Sequence, residues 1–445
     1  MMKNIYFLIT TLCIISFSIQ QSVAQGNGYF FIDDIYQRSY FNPALNDSEA
    51  LTIASGFGVD FNTNGPGLSD FLIENDEGGL LISAANAIPD MNAANDIFGN
   101  ASINTIDVSI PTSFGNISIG HAWKATGWFQ YTQDLASFVT FGNGNFIGET
   151  LQLAPNIDYQ NYNEIYIGYQ KSFGPLSIGA RVKKLNGVET ISTNEGSTIS
   201  LFTSNDIYQL TLESDFELRT SQAFTFNNLE DFDLNLQGFS TNNLFSNNGG
   251  WAFDLGASID IGKLELSASI VDIGSINWDA QTTIFSSNTT STFEGIDVGE
   301  FINTEDGFVV LDSVEALLGL EESDASFSSS LPSQINLGVI YSINDQWAIG
   351  ALARSIGTGD RNYSVLSFNV STAINTYIHL GATYSIINGT TSNIGLNGKL
   401  KIGPVSAFLS SDNILQFADF RGQSSSLRAG LSISLNGIGN AHSEK

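Results

Sequence analysis

One cysteine, eight prolines, three histidines and sixteen lysines and arginines in 445 residues exclude several classes of protein at once. Cys13 is the sole thiol and sits inside an apolar run from Ile5 to Ile19, so no disulfide framework and no thiolate metal site is expected beyond it. His121, His379 and His442 are far apart and have no ligand spacing, and no metal or other cofactor is expected. Cations number 16 against 45 acids, a balance that excludes nucleic acid and anionic surfaces as partners. Charged residues make up 14% of the chain, well under the usual quarter, while Gly (43) and Phe (32) are plentiful. Long hydrophobic runs are missing too: a spanning helix needs about 20 apolar residues, and even Ile5 to Ile19 falls short.

The N-terminus reads as an export signal. Lys3 precedes the apolar run, and Ser22-Val23-Ala24 supplies small residues for cleavage after Ala24. Leu12 precedes Cys13 where a lipoprotein signal would place a small residue, so no lipid anchor is expected. The expected organisation is a signal peptide at 1–24 and a single domain over 25–445.

What the chain does have is period-two hydrophobicity. Leu427, Ala429, Leu431, Ile433 and Leu435 share one face of a strand, with Ser426, Arg428, Gly430, Ser432 and Ser434 on the other. Ile378, Leu380, Ala382, Tyr384 and Ile386 repeat the pattern, as do Ile335, Leu337, Val339, Tyr341 and Ile343. Sheet with one apolar and one polar face, repeated with short turns, is the pattern of a transmembrane antiparallel β-barrel. About 14 strands are expected (range 12–16), placing the protein in the outer membrane of a Gram-negative bacterium with membrane lipid around it. A secreted β-sandwich or solenoid would also alternate, but with fewer short-turned strands.

Along the chain, strands are expected from Ala50 to Asn62, Ala101 to Pro111 and Gly115 to Lys124, with a helical insertion at 67–100. Leu68, Phe71, Leu72, Leu80, Leu81 and Ala84 carry its helical spacing. A hairpin turns at Gly174-Pro175, and Val188 to Phe202 and Asp206 to Thr220 continue the alternation. Long loops are expected at 221–250 and 287–330, the second with a helix around Ser313 to Leu320. Trp123, Trp128, Trp251, Trp278 and Trp347 fall near strand ends and read as interfacial girdle residues.

Three segments resemble a known family. Asn161 to Tyr169 followed by Leu176 to Gly187 resembles the central hairpin of a Bacteroidota outer-membrane family of unknown function. Leu264 to Trp278, ending Ile270-Val271-Asp272-Ile273-Gly274-Ser275-Ile276-Asn277-Trp278, is similar to its second marker. Asn42-Pro43-Ala44 resembles an element shared with FadL-type fatty-acid channels and their relative PorV of the type IX secretion system. The resemblance spans roughly Ser39 to Leu435 and implies a barrel obstructed by its own N-terminal segment, residues 25–49.

That implication makes Phe30, Phe31, Tyr36, Tyr40, Phe41, Asn42 and Pro43 candidate plug and ligand residues, although Asn42-Pro43 is also a turn and an aromatic cluster also packs. In so acidic a chain, Arg181, Lys183, Lys184, Arg354 and Arg361 are candidates to meet inward acids such as Glu164 and Asp254 in a luminal ion-pair network. No serine pairs with His121 or His379 in a catalytic pattern, so no enzyme is expected. Asp70, Glu74, Asp76 and Glu77, or Glu321, Glu322 and Asp324, lack a calcium-loop pattern and read as solvated loop charge. The expected roles are passive transport or binding of an apolar or amphipathic small molecule, docking of a secreted or surface protein as in the PorV relatives, or envelope structure.

Overall fold

The computed structural model describes residues 27–46, 49–74, 80–205, 209–228, 231–293, 317–358, 361–387, 390–414 and 423–435. The expected signal peptide, the tail after Leu435, Asp76 and Glu77, and most of the helix expected at Ser313 to Leu320 lie outside the described residues.

The wall is a closed antiparallel barrel of 14 strands. They are β1 (Leu51–Thr63), β2 (Ala94–Thr112), β3 (Gly115–Thr132), β4 (Asn156–Phe173), β5 (Leu176–Thr193), β6 (Asn248–Ile261) and β7 (Leu264–Trp278). Then follow β8 (Ser333–Ser342), β9 (Trp347–Thr358), β10 (Arg361–Ala373), β11 (Ile378–Ile387), β12 (Thr390–Ile402), β13 (Val405–Ser411) and β14 (Ser424–Leu435). Each pairs with its neighbours, and β14 closes on β1 from Leu51 opposite Leu435 to Asn62 opposite Ser424. Closure matters because an open sheet edge would leave unpaired amides in lipid.

Alternation sets the two faces. On β14, Leu431 and Ile433 are exposed while Ser426, Gly430 and Ser432 are buried; on β11, Leu380 and Tyr384 face out and His379, Thr383 and Ser385 face in. Phe57, Val59, Ile335, Leu337, Leu396 and Leu409 continue the outer apolar surface round the wall. No helix among the described residues is long and apolar enough to cross a membrane; here the crossing elements are strands.

The two rims differ. On one, β2–β3, β4–β5, β6–β7 and β12–β13 are joined by two-residue turns, including Gly174-Pro175 and Gly403-Pro404, with Gly174 at φ 62° and Gly403 at φ 59°. The other carries the long connections, the arrangement that places short turns on the periplasmic side.

Several strand expectations need correction. Residues 67–100 hold single turns (Leu68–Phe71, Ala84–Ala87, Ile88–Asp90) and a small hairpin, Leu72–Glu74 with Leu80–Ile82, not one helical insertion. Its last part is strand: β2 begins at Ala94, because Asp96 and Phe98 face inward and the ladder to β3 runs from Ala94 opposite Thr132. Leu210–Ser221 and Thr282–Phe293 are strands, but they pair with each other beyond the wall, since β5 and β6 already meet from Asn248 opposite Gly187 to Ile259 opposite Leu176. The expected loop at 287–330 therefore opens on a strand, and that at 221–250 contains the hairpin Phe224–Asn228 with Asp231–Leu234 and ends in β6.

Of the five tryptophans, Trp251 and Trp347 are exposed (56% and 46%), as a girdle requires, but Trp123, Trp128 and Trp278 are buried. Strand parity turns Trp128 and Trp278 inward, whereas Trp123, of outward parity beside Lys124, is covered by the Phe239 ring at 6.5 Å; Trp278 packs on Tyr162, Leu185, Ala252, Ile276 and Leu331 and donates its indole N–H to Ser329 Oγ at 2.8 Å.

Candidate functional site

Residues 27–46 lie within the barrel, in contact with strands right round the wall. The segment forms three short 3-10 turns, Gly28–Phe31, Tyr36–Tyr40 and Pro43–Leu45. At the last, Asn42 caps the turn by accepting from Ala44 N–H at 2.9 Å, with Pro43 at the first turn position. The Asn42 amide also donates to the carbonyls of Ala257 (2.9 Å) and Ala268 (3.2 Å).

The wall accommodates this segment by omitting side chains. A Cβ at Gly256 would overlap the Asn42 side chain, one at Gly179 the Pro43 backbone, one at Gly338 the Phe30 ring, and one at Gly350 would lie 2.7 Å from Phe31. Where glycine is absent the wall turns apolar: Ile340, Leu352 and Phe408 point inward and form one cluster with Tyr29, Phe30, Phe31, Ile32, Ile35 and Phe41. An aromatic cluster in a polar lumen needs such a patch, and the patch is there.

Polar contacts fix the remainder. The Asn27 and Gly28 N–H groups donate to the Asp412 carboxylate at 2.6 and 3.0 Å. Arg38 pairs with Glu265 and, at 3.3 Å, with Asp33, and Lys401 reaches Asp34 at 2.5 Å. Tyr40 and Tyr166 both donate to Asp107, and Tyr36 and Tyr166 hydroxyls lie 2.9 Å apart. With the Tyr166 proton directed at Asp107, Tyr36 is the donor of that last contact. Burial raises the Tyr36 phenol above its ordinary range, although Arg181 opposes the shift, so it stays protonated.

Above this floor lies a chamber of about 100 Å³, lined by Tyr29, Tyr40 and Phe41 from the segment and by mostly polar wall residues. It has room for several waters or one small solute. Its wall holds a buried ion network. Lys183 Nζ lies 2.6 Å from Asp272 Oδ1 and 2.8 Å from Asp254 Oδ1; Lys124 Nζ lies 3.0 Å from Glu164 and 3.2 Å from Asp272. Arg181 is 3.9 Å from Asp254, donates to Ser39 Oγ at 2.7 Å and stacks over Tyr166.

Of the sequence candidates, Glu164, Arg181, Lys183 and Asp254 thus meet in one network. Arg354 does not join it through a carboxylate: it donates to Gln334 Oε1 (2.5 Å) and Asn27 Oδ1 (3.3 Å) and lies over the Phe41 ring. Lys184 is corrected, because its parity sends it outward over Trp251; the Arg361 side chain lies outside what is described. Tyr40 and Phe41 line the chamber, Phe30 and Phe31 pack on the wall below it, Tyr36 reaches Tyr166, and Asn42 and Pro43 anchor the segment.

Sequence reading missed Lys124, Asp272, Asp107 and Tyr29. Asp272 carried a signal: an acid within Ile270-Val271-Asp272-Ile273 breaks an apolar stretch. It sits at φ 61° where the β6–β7 register slips between Phe253 and Leu255, so the bulge re-aims its carboxylate inward. Among the described residues no group of His, Cys, Asp and Glu is arranged to hold a metal.

The chain is similar to several solved structures at low sequence identity. The TodX deltaS2S3 mutant monoaromatic hydrocarbon channel aligns at 12% identity and TM-score 0.45, over 94% of this chain and 97% of that one. The Ralstonia pickettii toluene transporter TbuX aligns at 11% identity and TM-score 0.43, over 91% and 95%. The translocator domain of autotransporter NalP from Neisseria meningitidis aligns at 6% identity and TM-score 0.34, over 87% and 89%. No curated protein matches the sequence. A family profile matches residues 43–412, and with most of its length so matched the chain belongs to DUF5723, a family of unknown function.

Proposed function

We propose that this protein is an outer-membrane channel, not an enzyme, whose lumen is plugged on its short-turned side by residues 27–46 and admits a small amphipathic molecule to the chamber above. The observation that carries this reading is the pairing of wall glycines with plug side chains, Gly256 with Asn42 and Gly338 with Phe30. A wall shaped to its own N-terminal segment makes that segment a built stopper. The chamber beside it is polar on the wall and aromatic on the floor, which suits a molecule with one charged or polar end and one apolar part better than a plain hydrocarbon.

The test is mass spectrometry of molecules extracted from the purified, detergent-exchanged barrel and from a variant lacking residues 26–46. A defined amphiphile that copurifies, in an amount altered by the deletion, is the expected result. Bulk envelope lipid alone in both preparations would sink the transport reading.

Docking of a secreted or surface protein is the second reading. It is favoured by apolar side chains exposed on the segment between β5 and β6, Leu236, Phe239 and Phe245, the last at 75%.

A further inference from the structure

The alternation of buried and exposed residues stops at one place on the wall. On β4 every residue from Asn161 to Glu164 is buried, and on β5 every residue from Leu185 to Ile191. A strand with lumen on one side and lipid on the other buries alternate residues, so a continuous buried run has a cover on both faces. Tyr162 and Leu185 face the lumen beside Trp278. Asn163 and Asn186, opposite one another in the ladder, take the other parity, and so do Asn161 and Glu189, which the bulge at Val188 brings opposite each other. A carboxylate and three side-chain amides therefore stand on the outer face of the barrel, where lipid would leave them without partners.

Their cover is a strap from the connection between β5 and β6. Asn161 Nδ2 donates to the Gln237 carbonyl and Asn163 Nδ2 to the Asn243 carbonyl, each at 2.7 Å, and Glu189 Oε1 accepts from the Gln237 N–H at 2.7 Å. The Phe239 ring lies against Trp123 of β3, 6.5 Å away. Away from the wall the strap is apolar: Leu236 is 51% exposed, Phe239 37% and Phe245 75%. No Asp, Glu, Lys or Arg occurs from Leu234 to Phe253, whereas the other long connection carries ten acids from Glu294 to Asp324. Trp251 marks the strap's level on the wall. It stands opposite Lys184 on the outer face, two residues nearer the short-turned rim than the pairing of Gly249 with Asn186, and the Lys184 ammonium lies 5.2 Å from its ring. An outward Lys and Trp together anchor at the boundary between headgroups and acyl chains.

We propose that residues 236–245 form a strap seated in the outer leaflet, with Leu236 and Phe245 in the headgroup–acyl boundary and lipid as the partner of this surface. The proposal rests on the membrane placement in the channel reading, and it adds to the lipid-facing surface a connection that is not a strand. On its wall side the strap answers the outward polar groups with main-chain amides; on its other side it presents to lipid what a bare Glu189 could not. Continuity with the outer face decides for lipid over a protein partner. Trp251, Phe253 and Leu255 run on from the strap along β6 and are exposed at 56%, 48% and 53%. An uncharged segment of small polar and apolar residues suits that boundary, where amphipathic segments bury their apolar side by about 5–10 Å.

The experiment places a nitroxide spin label on single cysteines in a Cys13→Ser background, with the barrel in phosphatidylcholine vesicles. Collisions with oxygen, which concentrates in lipid, are compared with collisions with a neutral nickel complex, which stays in water. Phe245→Cys and Leu236→Cys report the strap, Leu337→Cys the outer face of β8, and Glu195→Cys the exposed turn after β5. Retained folding is checked for each variant by its mobility on unheated gels. Expected is an oxygen-to-nickel collision ratio at the two strap positions that exceeds the ratio at Glu195→Cys by roughly fivefold or more and approaches that at Leu337→Cys. A ratio at Phe245→Cys equal to that at Glu195→Cys, with Leu337→Cys in lipid, overturns the proposal, keeps the membrane reading and leaves the strap's apolar edge to a protein partner. A ratio at Leu337→Cys as low as that at Glu195→Cys removes the membrane reading and the strap's lipid seat together.

Discussion

Lys183 is 5% exposed at its side chain and lies within 2.8 Å of both Asp254 and Asp272. A buried ion pair gains little over well-packed apolar groups, because desolvation offsets most of the Coulomb attraction, but breaking one leaves a charge with no answer. Lys183→Met takes the nearest cation from two buried carboxylates, leaving Asp254 only Arg181, at 3.9 Å, and Asp272 only Lys124, at 3.2 Å. The expected loss is about 3–5 kcal/mol, read as a fall in the urea unfolding midpoint. Because much of that loss is the penalty of the orphaned acids, the double variant K183M/D272N should unfold at higher urea than K183M alone. Additive losses in the pair would show instead that the network contributes little and that packing dominates at this position.

At the scale of elements, the N-terminal segment and the wall are complementary, and that complementarity explains why parts of the sequence were legible and others not. Strand existence was readable because lipid on one side and polar lumen on the other impose strict parity over every strand. Asn42-Pro43 was readable as a turn, yet only the fold brings it to Gly256 and Gly179, more than 130 residues away in the chain. The two marker segments likewise meet in space: Gly187 approaches Trp278 so closely that a Cβ would lie 2.6 Å from the ring. Lys124 was invisible because its partners, Glu164 and Asp272, come from other strands. Buried Trp128 and Trp278 were misplaced for a related reason, since proximity to a strand end says nothing of parity, and Trp123 because Phe239, more than 100 residues away in the chain, covers it. The same complementarity gives a test. Gly338→Val puts methyl groups where the Phe30 ring lies and should loosen the segment while the wall, paired independently, stays closed. Arg38, buried and the sole tryptic site between Asn27 and Asn46, reports the change. Trypsin should cut G338V at Arg38 under conditions that leave wild type intact; equal protection would mean that Phe30 is not what holds the segment.

For the whole molecule, the decisive contrast is between an apolar outer surface and a lumen lined by paired charges. Leu337 lies on the outer face midway along β8, whereas Ile402 ends β12 beside the Gly403-Pro404 turn; both are exposed, at 39% and 66%. Exposure alone would rank Ile402 as the more sensitive to a change in its surroundings. Depth reverses that order, because arginine at the bilayer midplane must be carried through hydrocarbon and one near the rim reaches water by extending its side chain. Leu337→Arg should therefore cost about 2–4 kcal/mol and Ile402→Arg about 0–1 kcal/mol, measured as unfolding free energies of the barrel refolded into phospholipid vesicles. In water-soluble form neither site would matter much, since both side chains are already on the surface. Equal and small costs at the two positions would place the outer face against water and remove the membrane from the account, whereas a large cost confined to Leu337 locates the hydrocarbon belt across the middle of β8.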